Sequence, residues 1–138
     1  QRRFERLQVM ILSTEEGFDK YGELFLDRAA ATVAADCNET FFVESGGGAA
    51  FFVQLYPGAF EAHYLMRVRG KDVITSSKRI LKELFNETNA KVVTGYISVD
   101  NRPALAATRR IGFKSVAVVD HPKGKHELFV IYREDVNE

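Results

Sequence analysis

Glu61 and His63 stand two residues apart in Ala59 to Val68, a stretch that reads as a β-strand. Alternate strand residues share a face, so the two titratable side chains project together. A carboxylate beside an imidazole is a general-base pair or a water-mediated proton relay, and an unperturbed imidazole titrates near pH ~6.5, suited to that work. The same alternation fits the solvent face of a half-buried strand equally well. Just downstream, Arg67, Arg69, Lys71 and Lys78 gather positive charge around Gly70 at the mouth of a helical segment. The first N–H groups of a helix bind anions, and a glycine lets backbone approach a phosphate with no Cβ in the way. The chemistry offered is pyrophosphate binding. A plain helix with a solvated basic edge accounts for the same residues. Asp72 is the expected N-cap, and it puts a carboxylate where an anion would sit.

Other reactive side chains have plainer readings. Cys37 is the single cysteine, which excludes an intramolecular disulfide and suits a reducing compartment. It is expected as a small buried residue at a helix-to-strand junction. His121 and His126 flank a hairpin turn beside Asp120, but no cysteine or fourth ligand accompanies them, and no metal is expected. Tyr64 and Tyr96 read as packing residues, and Phe41, Phe42, Phe51 and Phe52 as core. Asn101, before Pro103, fits a helix cap. Glu15, Glu16, Asp19 and Glu23 lie on one helix, solvated or attractive to a cation.

The elements that must position these residues follow from periodicity. Phe4 to Ser13 contains a strand candidate, Leu7 to Leu12. Ser13 and Glu16 have capping-box spacing. Phe18, Tyr21, Leu24, Phe25 and Leu26 continue as a helix, and the alanine-rich Ala29 to Ala35 extends it after a break. Thr40 to Glu44, Ala49 to Tyr56 and Ala59 to Val68 are predicted as three antiparallel strands joined at Ser45-Gly46-Gly47-Gly48 and Pro57-Gly58. Lys71 to Thr88 is helical, Ala90 to Val99 a strand, and Pro103 to Ile111 a short helix ended by Gly112. Phe113 to Asp120 and His126 to Glu134 close as a hairpin around residues 121–125. The order β-α-βββ-α-β-α-ββ predicts an α+β fold on one mixed, mostly antiparallel twisted sheet flanked by helices.

The totals agree. The 138 residues suit a single domain, 1–138, with one core, and 46% hydrophobic with 28% charged content is ordinary for a globular chain. Nineteen basic residues balance nineteen acidic ones, which argues against nucleic-acid or membrane-surface partners. No apolar run approaches the ~18 residues of a membrane span and no signal pattern opens the sequence, so a cytoplasmic location is expected.

That order, and the stretch from Asn101-Arg102-Pro103-Ala104 to Arg109-Arg110-Ile111-Gly112-Phe113, resemble the GNAT superfamily of acyltransferases. The Asn at a strand exit, the Ala three residues on and the Gly-Phe pair ending a short helix match its C-terminal signature. Arg69-Gly70-Lys71, followed by a long amphipathic helix ending Leu84-Phe85, resembles its coenzyme A loop. The likeness in element order covers nearly the whole chain; that in sequence covers about Ala62 to Phe113. His63 together with Lys82-Glu83-Leu84-Phe85 is similar to GNAT-type proteins of bacteriophages and prophages.

The resemblance implies an acyl-coenzyme A-dependent N-acyltransferase, with acetyl-CoA as cosubstrate and an unidentified primary amine as acceptor. It implies that Leu65, Arg67, Arg69, Gly70, Lys71 and Asn101 hold the cofactor. The strands carrying His63 and Tyr96 would splay to admit the pantetheine. Glu61 or His63 would take the amine proton. Thr108 occupies the place, four residues before the Gly of Gly-Phe, where the family commonly has an acid tyrosine; it or a water would assist the sulfur. The family's phosphate pattern has two small positions after its Arg or Gln. Counted from Arg67, Gly70 fills one and Asp72 the other; counted from Arg69, they fall on Asp72 and Ile74. Asp72 and Thr108 therefore leave a second expectation open, a catalytically degenerate binding or structural module of the same fold. A homodimer paired along Leu128 to Tyr132 is expected if that strand lies at an edge.

Overall fold

Gly48–Tyr56 (β3) is apolar at both parities: Ala49, Phe51 and Val53 alternate with Ala50 and Phe52, and all five are buried. Such a strand must be covered on both faces. A computed structural model, which describes residues 9–136, shows how. Thr14–Tyr21 (α1) and Arg28–Cys37 (α2) lie with Ala49, Phe51, Val53 and Leu65 on one face. Lys71–Glu87 (α3) and Arg102–Ile111 (α4) lie with Ala50, Phe52, Phe60 and Ala62 on the other. The strands Met10–Leu12 (β1), Thr40–Ser45 (β2), β3, Ala59–Met66 (β4), Val92–Ser98 (β5), Lys114–His121 (β6) and Gly124–Tyr132 (β7) form one sheet ordered β1-β2-β3-β4-β5-β7-β6. Neighbours run antiparallel except β4 and β5, which are parallel because α3 crosses between them. This is the expected α+β arrangement. Of the predicted first strand, Leu7 and Gln8 lie outside the described residues.

Local chemistry sets the helices. Ser13 and Glu16 form the predicted capping box at the start of α1. A Cβ on Gly17 would lie 1.9 Å from the Phe42 ring, so the missing side chain lets α1 sit directly on the sheet. Phe18, Phe25, Phe42 and Phe51 pack there with centroids 4.9–6.2 Å apart. A 3-10 turn, Gly22–Leu24, separates α1 from α2, and Asp27 caps α2 by accepting the Ala30 N–H at 3.0 Å.

Several expectations change. Cys37 is exposed at the end of α2, a helix that buries only Ala31. Asp72 is not an N-cap; Gly70 is, and Asp72 stands exposed in the first turn of α3. The last hairpin turns on Pro122 and Lys123 alone, since His121 pairs with Gly124, so both histidines belong to strands. Leu128 to Tyr132 is interior, because β7 runs back between β5 and β6; β6 is the edge. Among the described residues no helix is long and apolar enough to cross a membrane.

Candidate active site

The parallel pairing of β4 and β5 stops after Glu61–Thr94, although β4 continues to Met66 and β5 to Ser98. Beyond that pair the strands part, and a cleft of about 660 Å³ passes through the sheet. Its walls include Ala31 and Phe51 from one face and Ser77 and Thr108 from the other. The gap exposes backbone. Arg67 donates its N–H to the Gly47 carbonyl at 2.8 Å, so the odd residues of β4 bond to β3. The main-chain groups of Tyr64 and Met66 then turn to the open side. A ligand with amides can take up those bonds, as an added strand would. The Tyr64 hydroxyl and Ser77 Oγ, buried in side chains that line the cleft, also lack partners among the described residues.

Leu65 also lines the cleft, but with its main chain turned the other way. Its side chain is buried among the α1/α2 cluster, and its carbonyl faces β3, 2.5 Å from where a Cβ on Gly48 would sit.

Glu61 and His63 both line the cleft, with His63 Nε2 3.6 Å from Glu61 Oε1. The His63 imidazole is the main cause holding the Glu61 carboxyl below its usual range; burial opposes it, and the fields of His63 and His121 add to it. His121 thereby joins the site. His121 and His126, expected only to flank a turn, and Tyr96, expected as a packing residue, all line the cleft. The histidine rings stack at 4.1 Å, and Tyr96 lies 5.8 Å from His121. His121 Nδ1 accepts the Lys123 N–H at 3.1 Å, leaving the proton of the neutral ring on Nε2. His126 faces the Gly124 carbonyl at 2.9 Å through Nδ1, which must donate, so its Nε2 keeps an open lone pair. The signal in the sequence was that they flank the turn, His121 directly before Pro122 and His126 three residues after Lys123.

Thr108 lines the cleft, but its hydroxyl donates to the Ala104 carbonyl at 2.7 Å, so only a lone pair faces outward. Asn101 caps α4, accepting the Ala104 N–H at 3.3 Å, and also borders the cleft.

The anion end is sparser than the sequence suggested. Gly70 has φ 64° and ψ −137°, a conformation that glycine alone adopts easily, and no atom lies within 4 Å of a built Cβ. No side chain caps α3, and within its first turn the Asp72 and Val73 N–H groups donate back to the Arg69 and Gly70 carbonyls at 3.3 and 3.0 Å. Arg69 and Lys71 are exposed beside it. Arg67 instead reaches α1: it donates to the Lys20 carbonyl at 2.6 Å, lies 3.8 Å from Glu23 and stacks 4.7 Å from the Tyr21 ring.

No protein-family model and no curated protein matches the sequence. Solved structures do match its shape. The spermidine N-acetyltransferase from Vibrio cholerae, in complex with CoA and spermine, superposes with a TM-score of 0.70 at 12% identity, covering 97% of this chain and 99% of that one. An acetyltransferase of the GNAT family from Bacillus anthracis gives 0.57 at 15% identity, over 78% and 73% of the two chains. The chain has the GNAT fold. In this chain the through-sheet cleft lies at the opening between β4 and β5.

Proposed function

We propose that this protein is an acetyl-CoA-dependent N-acetyltransferase acting on a primary amine. The observation that carries the reading is the cleft opened where β4 and β5 part, with unpaired backbone on one wall and Glu61–His63 on another. The CoA complex of the V. cholerae spermidine N-acetyltransferase supports it, since that protein shares the fold at nearly full length.

The residues fit the cofactor. Arg69, Lys71 and the start of α3 behind Gly70, which no side chain caps, would hold the pyrophosphate, and Arg67 would join them only by leaving Lys20. The Tyr64 and Met66 main chain would bond the pantetheine amides. When bound, acetyl-CoA supplies an activated acetyl group as a thioester. Glu61 stays ionised and orients His63, which takes a proton from the acceptor's ammonium so that the freed amine can attack the thioester carbonyl. A water donating to the thiolate can be held by the outward lone pair of Thr108, with Asn101 at the cleft rim.

Titrating acetyl-CoA into the protein by calorimetry tests the cofactor site. Micromolar binding, weakened about tenfold by Arg69→Ala, is expected, followed by amine-dependent thiol release. A second reading draws on Thr108, whose proton is committed to Ala104: a module that binds acyl-CoA without transferring it. Tight binding with no thiol release across a panel of amines would favour it. No binding up to about 1 mM, an affinity of only ~4 kcal/mol, would sink both.

A further inference from the structure

Two side chains meet at the cleft from sites 96 residues apart. Asp27 Oδ2 accepts a hydrogen bond from Lys123 Nζ at 2.9 Å, while Asp27 Oδ1 accepts the Ala30 N–H at 3.0 Å. Both residues line the cleft. The carboxylate is pinned by its capping bond. The lysine is not: it stands at the tip of the β6–β7 turn on a flexible stem, with 61% of its side chain exposed. Exposed ion pairs of this kind are weak and easily exchanged. The pair is therefore poorly suited to be a strut, and α2, which it touches, buries only Ala31.

Chemically, a primary alkylammonium already sits on a carboxylate at the cleft, and a primary alkylamine is what the proposed reaction consumes. Among the described residues, Asp27 and Glu61 are the only carboxylates lining the cleft. Glu61, paired with His63, serves the amine that loses its proton. An acceptor with a second amine keeps that one charged and needs another fixed anion. We propose that Asp27 is the receptor for the second ammonium of an aliphatic diamine acceptor, and that Lys123 occupies it as an internal stand-in until the diamine displaces it. The inference rests on the N-acetyltransferase reading of the same cleft.

The test compares 1,4-diaminobutane with 1-aminobutane, titrated by calorimetry into the CoA-saturated protein, so that turnover is not required. Wild type is expected to prefer the diamine. Asp27→Asn keeps a good N-cap, so the fold should hold, as a circular-dichroism melt would show. In this variant the diamine preference should collapse toward unity through a tenfold or greater loss of diamine affinity. Lys123→Met, which removes the competitor, should tighten diamine binding several-fold. An unchanged preference in Asp27→Asn, or weaker diamine binding in Lys123→Met, overturns the proposal. Absence of amine-dependent thiol release with intact diamine selectivity would instead count against the transferase reading alone.

Discussion

His63 and Glu61 illustrate how little separates a reactive pair from two surface residues. The strand period puts them on one face, but it is the parting of β4 from β5 that gives that face a cleft. Their coupling has a measurable sign. The imidazole depresses the Glu61 carboxyl and burial raises it, so His63→Gln should move the Glu61 titration upward, followed by carboxyl ¹³C shifts. A depressed carboxyl stabilises the fold above its ordinary value of 4.5, and that stability is lost as pH falls through the folded value. The variant should therefore show a smaller acid-side loss than wild type. On the proposed mechanism it should also lose about a hundredfold or more in kcat/KM, the scale of a missing general base.

At the scale of the element, α3 and α1 solve opposite problems. The start of α3 is left uncapped by any side chain, with Gly70 in a glycine-only conformation. Asp72 then has two effects of opposite sign. Its charge in the first turn favours the helix by about 0.3–1 kcal/mol, yet it repels a bound pyrophosphate. Asp72→Asn is accordingly expected to tighten CoA binding several-fold while slightly lowering Tm, read by calorimetry and a thermal melt. The α1 helix depends instead on closeness to the sheet. Gly17→Ala would drive a methyl into Phe42 and the aromatic cluster around it. Overpacking of this kind costs roughly 1–3 kcal/mol, visible in urea unfolding as a lower midpoint with unchanged slope.

Across the whole molecule, the two sheet faces bury phenols as well as phenylalanines. Tyr21 is held neutral by burial first and then by its hydrogen bond and charge contact with Glu44, with Arg67 opposing; burial alone raises Tyr64. Both are pushed above their ordinary value of 10.0. A phenol kept neutral in the fold but free to ionise when unfolded stabilises below that value and loses its contribution as pH rises beyond it. Stability should fall above pH ~10, by up to about 1.4 kcal/mol per pH unit for each such group. Tyr21→Phe should flatten that fall, as measured by urea midpoints at several alkaline pH values.

The elements themselves were written in the sequence, because period and capping are local. The capping box at Ser13, the three-strand meander, the β4-α3-β5 crossover and the Gly112 stop lie where propensity and turn chemistry put them. So does the pairing of Glu61 with His63 on one face of a strand. What depended on distant parts of the chain was not legible there. Whether Asp72 or Gly70 caps α3 turns on the path the chain takes out of β4. Cys37 is exposed because α2 lies only lightly on the sheet, and β7 is interior because β6 passes outside it. Arg67 belongs by sequence to a basic cluster and by packing to Tyr21. The cleft, the arrival of His121 and His126 in it, and the meeting of Asp27 with Lys123 arise where β4 and β5 separate and a remote hairpin folds over the gap. Contacts across such sequence distances are selected by the packing of both sheet faces, which only the tertiary structure specifies.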